Sequence, residues 1–505
     1  MKTAVAIVAC LALSPTMALA DMAHQFTLIG HIEKFSIDNA GDRLSSAKMT
    51  VHGVEVTLPK NLIIQMPARY LTPKDIFDLN AVAPGTSSGL ALTDTPAPVA
   101  AYEATVVGNI VGDKYIAGLV WISQHSLATG AGFVKQIGAD GEIQVVADPA
   151  AASAQPIARL RINDPNGVYA PPDPNADARF MVDEANPTIH AGTGYPMCIP
   201  QASAPGECPA ANRPNGGDGK PLTTFVMGAA GVPGSPAGAL DIPPCPGCDP
   251  TRQAPLMPGD FILFSGTLAS GAGGSYISAH TVEANVGIYT APGQDPAYLF
   301  VEGSLIGTQG PLVPRDLADP AVTFPQETQD RLKIEGVTTD PSRSVELYAI
   351  DVDPASGDGT LRLFNTVPAQ PAPLGRFRLI LGQRANALFA SDGTLKGAPR
   401  ELMVRVANGA NLDGQPVPET PVFAHGLVAG QYIAPFGEFI FPENKVIGDP
   451  ILPNNFECLA FLLFGSGPLE TTAVAGPQVG QLSPWPDVAP PPASVNCGPR
   501  PKPIL

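Results

Sequence analysis

At 505 residues, 44% of them apolar, the chain is too long for one hydrophobic core and apolar enough to fill several. Its 46 Asp and Glu against 29 Lys and Arg give a formal charge of −17, a field that repels phosphate backbones and anionic lipid surfaces. No basic cluster offsets it locally, so nucleic acid is not an expected partner.

Lys2, the apolar run Thr3 to Leu13 and the small residues Ala18-Leu19-Ala20 read as a secretory signal peptide, residues 1–20, cleaved after Ala20. A competing reading, with Cys10 lipid-anchored, leaves too short an apolar region before that cysteine. No later apolar run approaches the roughly 20 residues of a membrane-spanning helix. The expectation is a secreted or periplasmic chain, more acidic still once Lys2 is removed. Six cysteines survive that cleavage: Cys198, Cys208, Cys245, Cys248, Cys458 and Cys497. An even count in an exported chain argues for disulfides. Proximity favours Cys198 with Cys208, Cys245 with Cys248, and Cys458 with Cys497. The 52 glycines and 57 prolines fit many short strands joined by turns, hence an all-β class.

A first unit, 21–128, opens with a strand over Phe26–Ile32, with Gly30 at a bend. Leu44 to Val51 alternates, Ala47, Met49 and Val51 on one face and Lys48 and Thr50 on the other. His52-Gly53 turns into Val54 to Leu58, which alternates again. Thr72-Pro73-Lys74-Asp75 predicts a short helix ending near Asn80, with Thr72 as cap and Pro73 at its first position. Tyr102–Val111 and Tyr115–Ile122 then form a hairpin.

That hairpin is echoed twice. Gly108-Asn109-Ile110-Val111-Gly112 leads to Tyr115-Ile116-Ala117; Gly266-Thr267-Leu268 leads to Tyr276-Ile277-Ser278; and Gly426-Leu427-Val428-Ala429-Gly430 leads to Tyr432-Ile433-Ala434. Internal repetition predicts several copies of one small β-unit. Three strands, a short helix and two strands is the order of a five-stranded OB-type barrel. With Gly30-His31-Ile32, Lys48 to Val56, Val107 to Ile110 and Tyr115-Ile116-Ala117, residues 26–125 resemble exported bacterial OB-like repeat domains of unknown function. The resemblance implies a fold and carries over no catalytic residue.

A second unit, 129–290, opens at Gly132–Ile137, turns at Asp140-Gly141 into Glu142–Val146, and closes with Asp260–Leu268 and Ser275–Val282. An insertion of about 150–258, dense in Pro, Asn, Asp and Gly, interrupts it and holds four of the cysteines. A third unit, 291–445, has strand-like segments at Val345–Ile350, Thr360–Phe364, Phe377–Leu381 and Leu402–Val406. A short helix is expected from Thr323 to Leu332, and a closing hairpin from Val422 to Phe441. A Pro-rich tail, 446–505, completes the chain. The whole is expected to be several small OB-like, β-barrel or sandwich units with short helices and long Pro/Gly-rich loops.

Motifs with chemical potential mostly dissolve on inspection. Gly85-Thr86-Ser87-Ser88-Gly89 matches a nucleophile elbow, but lacks the strand before and helix after that the motif needs. Cys245-Pro246-Gly247-Cys248 has redox spacing without the helix start that lowers a thiol pKa, so a structural disulfide is the better reading. Among His24, His31, His52, His125, His190, His280 and His425, none stand at metal-pair spacing. Two loops offer oxygen ligands for calcium: Asp351, Asp353 and Asp358 in one; Asn163-Asp164-Pro165-Asn166-Gly167 with Asp173, Asp177, Asp183 and Glu184 in the other. Neither has an EF-hand register. Beyond possible calcium, no cofactor is indicated.

The sequence therefore predicts a secreted or periplasmic binding or scaffold protein for an unknown extracellular ligand or protein, with no catalytic residue assigned. One rival is a secreted hydrolase of a polysaccharide or ester, its site in the insertion. The other is a calcium-dependent surface or matrix component.

Overall fold

A computed structural model describes residues 24–60, 62–67, 69–124, 128–150, 155–173, 175–181, 186–201, 206–228, 242–271, 273–307, 314–316, 319–323, 332–352, 359–371, 373–381, 401–407, 412–416, 423, 426–435, 438–440, 447 and 456. The expected signal peptide, the Cys458–Cys497 pairing and nearly all of the Pro-rich tail lie outside these residues. The described chain is almost entirely sheet, with one α-helix.

The first unit comprises β1 His24–Ile37, β2 Ala47–Val51, β3 Val54–Leu58, β4 Ile64–Gln65, β5 Tyr70–Leu71, α1 Pro73–Asp78, β6 Glu103–Val111 and β7 Lys114–Ser123. Antiparallel pairings β1–β2, β2–β3, β1–β6 and β6–β7 are closed into a five-stranded barrel by the parallel pairing β3–β7. This is OB-type connectivity, with the helix between the third and fourth barrel strands. Alternation does the sorting: Ala47, Met49, Val51, Val56 and Leu58 are fully buried, while Lys48 and Glu55 face water as an ion pair. The Thr72 hydroxyl accepts the Asp75 backbone N–H, and the Asp75 carboxylate accepts that of Thr72, a complete capping box.

The second unit comprises β8 Thr129–Ile137, β9 Ile143–Val146, β10 Ala158–Ile162, β11 Ile189–Ala191, β12 Met197–Cys198, β13 Thr224–Met227, β14 Pro244–Cys245, β15 Ala254–Pro255, β16 Phe261–Gly271, β17 Gly274–Ala284 and β18 Gly287–Tyr289. β8, β9, β10, β17 and β16 close a second barrel, again through a parallel pairing, Leu160 with Ile277 and Ile162 with Ala279. The expected insertion is therefore too long at its start. Residues 158–162 are the barrel's third strand, their alternation Arg159, Leu160, Arg161, Ile162 placing the arginines outside and the aliphatics in the core. The rest of the insertion, between β10 and β16, is threaded with short strands and held to the barrel by β11, which pairs with β17.

The two closing hairpins share a bulge, between Val107 and Gly108 in one and Ser265 and Gly266 in the other. A Cβ at Gly108 would lie 2.0 Å from the Ile116 carbonyl oxygen, and one at Gly266 2.4 Å from that of Ser278. Only glycine lets the strands meet there.

The third unit differs. It comprises β19 Leu299–Gly307, β20 Pro314–Asp316, β21 Asp319–Thr323, β22 Leu332–Thr338, β23 Ser344–Val352, β24 Gly359–Pro368, β25 Arg376–Leu381, β26 Glu401–Val406, β27 Gln431–Pro435 and β28 Glu438–Ile440. Two four-stranded sheets, β25-β22-β19-β28 and β24-β23-β26-β27, share one core in which Leu299, Ile334 and Phe377 meet Val345, Leu347 and Val404. This is a sandwich.

Among the described residues the expected third hairpin, Val422 to Phe441, is not formed. Tyr432-Ile433-Ala434 pairs with β26, and Leu427 and Ala429 are buried in the second barrel's core. Gly426, with positive φ, turns the chain here where Gly108 and Gly266 make bulges, and Gly430 has positive φ as Gly112 does. Of the short helix expected from Thr323 to Leu332, the two end residues are strand, Thr323 closing β21 and Leu332 opening β22, and residues 324–331 lie outside the described residues.

Distant segments complete the first barrel. Phe180, from the second unit's insertion, and Phe456 both belong to its buried cluster.

Candidate functional site

The ligand-bearing face of an OB-type barrel is formed by its second and third strands and the turns beside them. In the second barrel these are β9, β10, the 138–142 turn and the hairpin tip near Gly273. Two arginines project from β10 onto this face. The Arg159 guanidinium donates to both oxygens of Glu142 and to the Gly273 carbonyl. Arg161 donates to Asp140 and lies 5.4 Å over the Tyr276 ring, within cation–π range. The Tyr276 hydroxyl donates to Asp173, with O···O 2.8 Å, and accepts from Asn175 at 2.9 Å. Burial, with the Asp173 carboxylate beside it, pushes the phenol up to about 12. It remains a hydrogen-bond donor at any physiological pH.

Asp173 and Asn175 belong to the insertion, so the insertion packs over this face of the barrel. The loop read as a calcium candidate is the clasp. Asn163 exchanges two bonds with the Asp177 backbone, at 3.1 and 2.8 Å. Asp164 accepts the Tyr169 and Ala170 N–H groups. Asp177 caps the next turn and pairs with Arg179 at 2.7 Å. The buried Arg179 reaches across to the carbonyls of Ile76 and Ser88 in the first unit. Phe180 stacks on Tyr102 there, with centroids 5.3 Å apart. These loop oxygens face N–H and O–H donors. Among the described residues no group of three or more His, Cys, Asp or Glu is arranged to hold a metal ion. Asp183, Glu184, Asp353, Asp358 and the Asp351 side chain lie outside the described residues.

The remaining motifs resolve as structure. The Ser87 hydroxyl accepts the Gly89 N–H, and Ser88 donates to Asp94, in a turn with neither strand nor helix beside it. Cys198–Cys208 and Cys245–Cys248 are disulfides with S–S 2.01 and 2.02 Å. Both bridge parts of the insertion, and no helix begins at Cys245. His125 and His425 lie outside the described residues, and His280 Nδ1 lies 3.1 Å from the Thr281 hydroxyl.

One polar group that the sequence did not single out lies where the second barrel meets the sandwich. His190 on β11 is fully buried. Its Nδ1 is 2.9 Å from the Ala191 carbonyl, the geometry of an Nδ1–H donor. Its Nε2 has no hydrogen-bond partner among the described residues. The imidazole stacks on Phe300 of β19, centroids 4.0 Å apart, and Phe300 in turn meets Tyr432 edge-on at 5.3 Å. Burial pulls the imidazole down to about 4, the Ala191 bond acting weakly the other way. Beside it in register is Glu283 of β17, whose carboxyl is raised by burial and then by the charge of Glu302. Glu302 is itself paired with Arg376. Spacing could not reveal this group, because its members come from five strands.

Set against known proteins, the chain matches no family model, no curated protein and no solved structure.

Proposed function

We propose that this is an exported binding or scaffold protein that holds an extracellular ligand and does not transform it. The second barrel, carrying Arg159, Arg161 and Asp140 on its outer face, is its ligand-bearing unit. The observation that carries this reading is the commitment of reactive groups to architecture. The serines of the elbow-like loop, the cysteine pairs and the acidic loop are all engaged in holding segments together. Two disulfides and the absence, among the described residues, of a helix long and apolar enough to cross a membrane support the exported setting.

The test is to screen the mature protein against a panel of glycans, polymers and extracellular proteins, alongside Asp140→Asn and Arg161→Gln. The expected result is saturable binding without turnover, weakened by those changes. Glu283, raised beside an Arg-paired Glu302, favours one rival, a hydrolase of a polysaccharide or ester with a separated acid and base. Reproducible turnover abolished by Glu283→Gln would establish that rival and end the binding reading.

A further inference from the structure

The seam between the second barrel and the sandwich is closely packed. The Tyr298 hydroxyl donates to the Pro250 carbonyl at 2.8 Å, and its ring meets that of Tyr195 edge-on with centroids 4.8 Å apart. The Asn186 amide pairs with both backbone groups of Ile433. The turn at Gly194 lies so close to the Leu299–Phe300 backbone that a Cβ there would approach within 2.7 Å. His190 sits inside this packing, and its ring is the surface on which Phe300 rests.

A neutral imidazole is acceptable in such a place, whereas an imidazolium is not. The second proton would go on Nε2, which has no acceptor among the described residues. The charged groups around it give little help. Glu283 on β17 has a raised pKa, Glu302 on β19 is committed to Arg376 of β25, and Tyr432 on β27 presents its ring edge to Phe300. Residues 186–191 offer no acid or base besides His190 itself.

We infer that the His190 seam is an acid-sensitive latch, closed while the imidazole is neutral and opened by its protonation, which releases the sandwich from the second barrel. The sign comes from linkage. An exposed histidine titrates near 6.5 and His190 in the closed seam near 4, so the open form binds more protons between those values. Opening becomes roughly tenfold more favourable for each pH unit within that window. Glu283 acts with the opposite sign. Its raised carboxyl takes up a proton more readily in the closed form, which opposes the opening that His190 drives.

Hydrogen exchange on the full mature chain, stepped from pH 7.5 to 3.5 and corrected for intrinsic rates, tests this. Amides of β11 and β19 are expected to lose protection with the uptake of about one proton, while those of β1 and β2 keep theirs. His190→Phe keeps a ring against Phe300 and removes the titration, so its seam should open no more readily in acid than at neutrality. His190→Gln serves if the phenylalanine variant does not fold. Glu283→Gln should retain acid opening. The latch is overturned if β11 and β19 open with no proton uptake in the unaltered chain. It is equally overturned if acid opening persists in the His190 variant.

Discussion

Phe180→Ala is the sharpest probe of how the first two units are joined. Phe180 arises in the insertion of the second unit, yet it is fully buried in the first barrel's cluster and stacked on Tyr102. Truncating a buried phenylalanine costs about 3–5 kcal/mol, from lost transfer energy and the cavity left behind. At about 4–8 °C per kcal/mol for a unit of roughly 100 residues, the first barrel should melt roughly 12–40 °C lower. Arg179, one residue earlier, holds the Ile76 and Ser88 carbonyls, so the loss should fall on those loops as well as on the barrel. Scanning calorimetry gives the shift, and hydrogen exchange across β1 to β7 locates it. Phe180→Leu, which refills much of the space, should recover a substantial part. If Phe180→Ala melts with the unaltered chain, or if exchange rises only within the insertion, the claim that this side chain completes the first barrel is wrong.

The buried ion pair of Arg213 and Asp260, both nearly inaccessible, makes a second prediction. Asp260→Asn should cost about 3–5 kcal/mol in urea titrations, because it leaves a buried guanidinium uncompensated. Replacing both partners together, Arg213→Met with Asp260→Leu, should cost clearly less. Phe456→Ala should lower the first barrel's stability by about 3–5 kcal/mol, and Gly118→Val should do so too, since a Cβ at Gly118 would lie 2.2 Å from the Phe456 ring. Calorimetry of both variants checks this. A chelator should leave the melting temperature unchanged; a fall of several degrees would support the calcium reading of the acidic loops.

The first barrel was legible because its information is local. Ala47, Met49 and Val51 alternate with polar neighbours, and Thr72, Pro73 and Asp75 write a helix start within four residues. The closing hairpins were legible for the same reason, although the glycine, and not Tyr-Ile, proved to be the equivalent feature. Gly108 and Gly266 occupy matching bulges, whereas Tyr115 and Tyr276 stand at different distances from them. The third Tyr-Ile misled because a short motif says nothing about its pairing partner. β10 was missed although Arg159 to Ile162 alternates plainly, since the turn-rich residues before it disguised the strand. The disulfides between near neighbours could be had from proximity. The Arg161–Tyr276–Asp173 group and the His190 seam could not, because each joins residues about a hundred positions apart.

Phe456 inside the first barrel has a consequence for how the chain is made. A ribosome delivers the barrel's last strand, ending at Ser123, more than 300 residues before the side chain that finishes its interior. At about 5–20 residues per second, that is a wait of roughly 20–70 s. During it the nascent first unit holds an open apolar end, so whatever escorts this polypeptide through biogenesis must shield that end until Phe456 has been made.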